Sequence, residues 1–165
     1  MSRAIPLLDY TSVSFFPSIG FGKASERLEK YVSEIVREFK KAESFRHSDE
    51  ALRSLDEAFE ECAMHGWDGY DALSLSVDAY YEAQKFIKSL PLISPIPAPE
   101  IIPEPDGGIA LEWLRGKRQV FVASVSGRNE INYAGLFGTN KVRGTEYFGD
   151  YLPSAILENL KRLYC

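Results

Sequence analysis

The sequence predicts an α+β fold: N-terminal helices, then an antiparallel β-meander of about four strands, then one C-terminal helix. Three observations predict it. Apolar residues recur at three- and four-residue steps up to about residue 90, which is helical spacing. From Ile109 onward the period shortens to two, which is strand spacing. The strands are grouped and do not alternate with helices, so they pair antiparallel, with the helices packed on one sheet face.

The elements follow in order. Residues 1–22 read as an apolar arm broken by Pro6, Asp9, Pro17 and Gly20, with one early Arg, which makes a poor signal peptide. Lys23 to Glu43 is expected as a first helix, with Leu28, Tyr31, Val32, Ile35, Val36 and Phe39 on its inward face. Ser48 is expected to cap a second helix, with Asp49 and Glu50 against the positive end of its dipole. Its inward stripe is Leu52, Leu55, Phe59 and Cys62, and Gly66 stops it.

A third helix is expected from Ser76, its cap, to Leu90, burying Tyr80, Ala83, Phe86, Ile87 and Leu90 and ending at Pro91. Residues 91–105 hold six prolines in fifteen positions. Such a connector is stiff and extended; it fits along a sheet edge and cannot be a central strand. The strands are "GGIALEWLRG", "RQVFVASVSG", "NEINYAGLFG" and "KVRGTEYFG", with "SGRN" a hairpin turn and Asp106-Gly107-Gly108 another turn. Pro153 suits the first turn of a last helix that faces Ile156, Leu157, Leu160 and Leu163 inward. The whole reads as one domain over 1–165, mainly helical from 23 to 90 and sheet plus helix from 106 onward.

Composition bounds the function. A hydrophobic fraction of 45%, with ten Phe and nine Tyr, is that of a folded globular chain. No apolar run reaches the roughly 18 residues of a membrane-spanning helix. A net charge of −5 argues against a nucleic-acid surface, since the basic clusters at Arg115-Lys117-Arg118 and Lys161-Arg162 are short and flanked by acids. The two cysteines, Cys62 and Cys165, are too few for a disulfide framework, which points to a reduced, cytoplasmic protein.

The densest cluster of unusual residues is "GWDGYDA", residues 66–72. Two glycines let the backbone turn sharply around Trp67 and Asp68, Asp side chains accept from following amides, and Trp67 and Tyr70 bury rings while their polar tips find partners. Trp67, Asp68, Gly69 and Tyr70 are therefore read as a packed joint between helices. Cys62 and His65 have metal-ligand spacing, but His47 and Cys165 would have to join them from distant elements, so no metal site is expected. Pro105-Asp106 with Glu112 is similar to a nuclease acid pair, but Leu114 stands where a lysine is wanted. "GLFGTNK" lacks the Gly-Lys-Ser/Thr ending and precedes a strand, so it is no phosphate loop. Neither His is placed by any motif beside a Ser and an acid. No catalytic residue and no cofactor are assigned. Glu112, Arg115, Arg118, Arg143 and Glu146 are expected to cluster near Trp113 on the sheet, a partner-binding patch anchored by Trp and Arg.

"GWDGYDA", the Pro-rich link, "PEPDGGIALEWLRG", "YAGLFG" and "GTEYF" before "LP" together resemble an uncharacterised family of small bacterial proteins, over about residues 66–163. The resemblance implies a bacterial cytoplasmic setting and a sheet packed by helices. It implies no activity, and it implies Gly where this chain has Asp71.

The functional expectation is a non-enzymatic interaction protein, an accessory or immunity-like partner of a protein encoded nearby. An oligomer is compatible with this. The alternative is a small metal-assisted hydrolase using Asp68, Glu112 or Glu146. Because the soft ligands are scattered, metal analysis of the purified protein is expected to find no stoichiometric zinc, and chelators should leave its melting unchanged. One zinc per chain, lost on Cys62→Ser, would overturn that.

Overall fold

Helical and strand periodicities translate into three helices and a five-stranded antiparallel sheet in a computed structural model that describes residues 23–91 and 96–164. The N-terminal arm lies outside the described residues. The chain divides into two units, Met1–Val36 and Arg37–Cys165, and the second holds the whole sheet.

Helix α1 is Lys23–Glu61, one helix where two were expected. Ser48 lies inside it and caps nothing. The stretch from 23 to 61 contains no Gly or Pro, and a Ser in mid-helix costs only a few tenths of a kcal/mol, so the capping signal has no break to act on. The two halves differ in their surroundings. Ala51, Leu55 and Cys62 enter the core, with Leu52 and Phe59 packed against it, as the second stripe requires. Leu28, Tyr31, Val32, Ile35, Val36 and Phe39, expected inward, are exposed instead, Leu28 by 65% and Phe39 by 72%. An amphipathic stripe needs a partner surface to be buried, and among the described residues these side chains meet none.

Helix α2 is Val77–Ser89, with Ser76 as its N-cap accepting from the Ala79 amide and Leu90 as its C-cap before Pro91. Ala79, Ala83, Phe86 and Ile87 are its buried face, and Tyr80 and Leu90 are half-buried. The Tyr80 hydroxyl donates to Asp56 Oδ1 at 2.6 Å, tying α2 to the C-terminal half of α1. That bond, before burial, raises the Tyr80 pKa, because the carboxylate favours the protonated phenol.

The strands are β1 (Glu100–Pro103), β2 (Ile109–Gly116), β3 (Gln119–Val125), β4 (Glu130–Phe137) and β5 (Asn140–Tyr147), in spatial order β1-β2-β3-β4-β5. The additional strand, β1, comes from the Pro-rich connector and lies at the sheet edge, where Pro103 is tolerated. Antiparallel register places Ile109, Leu111 and Trp113 beside Val125, Ala123 and Phe121, and continues to Ile131 and Tyr133 on β4. This face is buried. The core helices and α3 (Ser154–Tyr164), through Ile156, Leu160 and Leu163, share one cluster with it.

The "SGRN" turn is a hairpin loop as read, with φ of 80° at Gly127 and 58° at Asn129. Gly127 is also a contact. Its amide donates to Glu82 Oε2 at 2.6 Å, and an added Cβ would stand 2.5 Å from the Asp78 Cβ and 3.1 Å from the Ala79 amide nitrogen. The β3–β4 turn is thus pressed against the first turn of α2. Gly138, in the β4–β5 turn, has a φ of 68° but open space around it. Two alanine substitutions separate backbone strain from collision. Gly138→Ala is expected to cost about 1 kcal/mol, the left-handed penalty alone. Gly127→Ala should cost about 2–4 kcal/mol, since overpacking adds to the strain. Urea unfolding of both variants checks this; equal costs would mean the turn does not touch α2.

Candidate functional site

Two regions compete, the joint after α1 and the sheet. In the joint, Gly66 and Gly69 both adopt positive φ, 76° and 81°. Asp68 Oδ1 accepts from the amides of Tyr70 at 2.9 Å and Ala72 at 3.3 Å. The Trp67 indole, half-buried against the core, donates to the Leu73 carbonyl at 2.9 Å. Three amide bonds then dock the segment: Leu73 on Pro105, Ser76 on Gly107 and Leu75 on Cys62. The Asp68 carboxylate is occupied by its own turn, which is structural use. Tyr70 departs from the expectation: its ring is 84% exposed.

Asp106 behaves in the same way, accepting from the Gly108 amide inside the β1–β2 turn. Cys62 is buried; burial pushes its thiol pKa up and the Glu61 charge adds to this, so the thiolate is disfavoured. Among the described residues no group of three or more His, Cys, Asp and Glu could hold a metal ion.

On the sheet, the expected patch separates into five places. Trp113 is not on the surface. It is 1% exposed, sits between the rings of Phe86 and Phe121, and donates from Nε1 to the Pro97 carbonyl at 3.0 Å. Arg115, at a register shift in β2, donates to the Leu163 carbonyl at 2.7 Å, satisfying the last turn of α3 with a cation suited to that end of the helix. Arg118 is exposed in the β2–β3 turn, where its carbonyl accepts from Gly138. Glu146 is registered with Ile131, hence on the helix-covered side of edge strand β5. Of the six, only Glu112 and Arg143 share the opposite face, which no described helix covers. The single ion pair among the described residues is Arg37–Glu38, far along the chain from this patch.

That uncovered face is the site the sheet builds. Register defines one row across it, Glu100–Glu112–Val122–Ala134–Arg143, and a second, Leu114–Val120–Leu136–Lys141. Strands spaced by about 4.8 Å put Glu112 and Arg143 about 14 Å apart, with apolar side chains between them. An open depression of about 410 Å³ lies here, lined by Val120, Val122, Ala134, Leu136, Lys141 and Arg143 among others. Leu114 beside it is 63% exposed. The neighbouring row is polar: Thr145 donates to Asn132 Oδ1 at 2.7 Å, and Ser124 donates to Glu104. The face therefore has an apolar centre, acids toward β1 and β2, and bases on β5.

Val120, Val122 and Leu136 were not singled out from the sequence. A signal for them exists: "VFVASV" is apolar at both parities, the mark of a strand with two apolar faces. Comparison of the chain with family models, curated proteins and solved structures gave no match. Among the described residues no helix is long and apolar enough to cross a membrane.

The joint's structural role is testable. Trp67→Ala should cost about 2–3 kcal/mol, less than a fully buried indole because one side of the ring is open. Asp68→Asn should cost about 0.5–1 kcal/mol, since the amide oxygen still accepts from both turn amides. Chemical denaturation measures both, and the reverse order would mean the turn is held by charge.

Proposed function

We propose that this is a non-enzymatic interaction protein that receives a protein partner on the uncovered sheet face. The reading extends to a bacterial, cytoplasmic accessory or immunity-like protein acting on a product encoded nearby. One observation carries it: a half-exposed apolar depression, with Leu114 exposed beside it, bounded by charges of opposite sign at its two ends. Soluble domains rarely leave such a patch uncovered without use. Opposed charge at the ends fixes the partner's chemistry. It presents an apolar ridge to Val120, Val122 and Leu136, carboxylates to Lys141 and Arg143, and cations to Glu100 and Glu112.

Hydrolysis has less support. Asp68 is engaged by its turn, and Glu112 and Glu146 project from opposite faces of the sheet. Acids so placed share no reacting atom.

The test is capture from the native host by the wild-type protein and by Leu136→Asp and Arg143→Glu, followed by carboxyl-to-amine cross-linking. A partner should be retained by the wild type, weakened at least ~10-fold by either substitution, and cross-linked from its own acids to Lys141. Binding indifferent to both substitutions, or cross-links confined to other surfaces, would overturn the assignment.

A further inference from the structure

Among the described residues, the N-terminal half of α1 leaves a second apolar surface without a partner, and its spacing is specific. Leu28, Val32, Ile35, Phe39 and Ala42 follow one another at alternating steps of four and three. That is the heptad seam of a helix that packs against another helix, narrower than the stripe of a helix lying on a sheet. Every member of the seam is exposed. Tyr31 and Val36 widen it, exposed by 63% and 45%. The positions flanking the seam carry Glu29, Glu38 and Glu43, whereas Arg27, Lys30, Arg37, Lys40 and Lys41 lie farther around the helix.

We infer that this half of α1 pairs antiparallel with the same segment of a second copy of the chain. Charge decides the orientation. A parallel pair sets Glu38 beside the partner's Glu43, two acids with no cation between them. An antiparallel pair that places Val32 opposite the partner's Ile35 also places Leu28 opposite the partner's Phe39. In that register Tyr31 meets the partner's Glu38, a phenol donor to a carboxylate, and Glu29 meets the partner's Val36. No acid faces an acid along the seam. Among the described residues the one ion pair of Glu38 is an exposed contact of 4.0 Å with the adjacent Arg37, which leaves its carboxylate accessible to the phenol. The seam spans about two heptads, which makes the association reversible and concentration-dependent.

Sedimentation equilibrium of the full chain tests this directly. The weight-average mass should rise from 18.6 kDa toward about twice that value as concentration approaches ~100 µM. Ile35→Asp, at an exposed position that leaves the fold intact, should hold the mass at the monomer value. In a Cys165→Ser background, Leu28→Cys mixed with Phe39→Cys should form a disulfide between copies, and Leu28→Cys alone should not. A chain monomeric at every concentration, a dimer unaffected by Ile35→Asp, or cross-linking by Leu28→Cys alone would each overturn the inference. The last outcome would mean a parallel pair. None of these results bears on the sheet face, so the two proposals fail separately.

Discussion

Everything in the Arg37–Cys165 unit depends on where the Trp113 indole goes. It stands in a chain of aromatic rings: Phe148 to Phe86, Phe86 to Trp113, Trp113 to Phe121 and Phe121 to Tyr133, with centroids 5.9–6.2 Å apart. These rings come from α2, three adjacent strands and the segment after β5, so one contact series joins helix to sheet across most of its width. Tilted and edge-on geometries of this kind add to simple burial. Deep burial also obliges the indole N–H to find an acceptor, and the Pro97 carbonyl supplies it. That bond brings the Pro-rich connector alongside β2, from which β1 continues as the edge strand. A connector poor in amide donors is thereby held by an acceptor, the one backbone group that proline retains.

Packing the large rings to one side fixes the character of the other. All three helices contribute to the cluster on the ring side, and the described chain places no helix on the opposite face. β3 nevertheless carries Val120 and Val122 there, as if that face too were meant to be covered. The small Ala134 on β4 keeps the surface shallow between Val122 and Arg143, so the apolar patch is a depression, not a ridge. A partner segment can seat in it without displacing protein side chains. The open apolar depression follows from the same asymmetry that makes the core.

Much of this was legible in the sequence because the relevant signals are local. Ser76 and Pro91 bracket α2, Pro153 precedes α3, and the "SGRN" and Asp-Gly-Gly turns need only neighbouring residues to form. The connector's confinement to an edge follows from proline chemistry alone. Errors arose where one signal needed knowledge of another element. Ser48 is a good cap only if the preceding residues stop being helical, and Phe45-Arg46-His47 do not. The expected meander pairing puts Glu112 and Arg115 near Trp113 on one surface, although the alternation of Ile109, Leu111 and Trp113 against Ala110, Glu112 and Leu114 assigns Trp113 to the core parity. Among the six residues expected to form the patch, only Glu112 and Arg143 share the open face. They lie on β2 and β5, and a row four strands wide cannot be read from either strand alone.

The α1 helix shows the same limit in its sharpest form. Its two halves carry equally regular apolar stripes, and a hydrophobic pattern states only that a surface is suited to burial. Leu55 has Ala51, Cys62 and the core cluster around it, whereas Ile35 has solvent. What differs is the chemistry at the flanks. Around the buried half the polar groups find tertiary partners, as Asp56 does in the Tyr80 hydroxyl. Around the exposed half the acids Glu29, Glu38 and Glu43 flank the seam itself. Acidic flanks on a four-three seam restrict which helix can approach and in which direction. In the self-pairing we propose, the restriction disfavours a parallel arrangement and favours the antiparallel one, in which Tyr31 turns a flanking acid from a repulsive group into an acceptor.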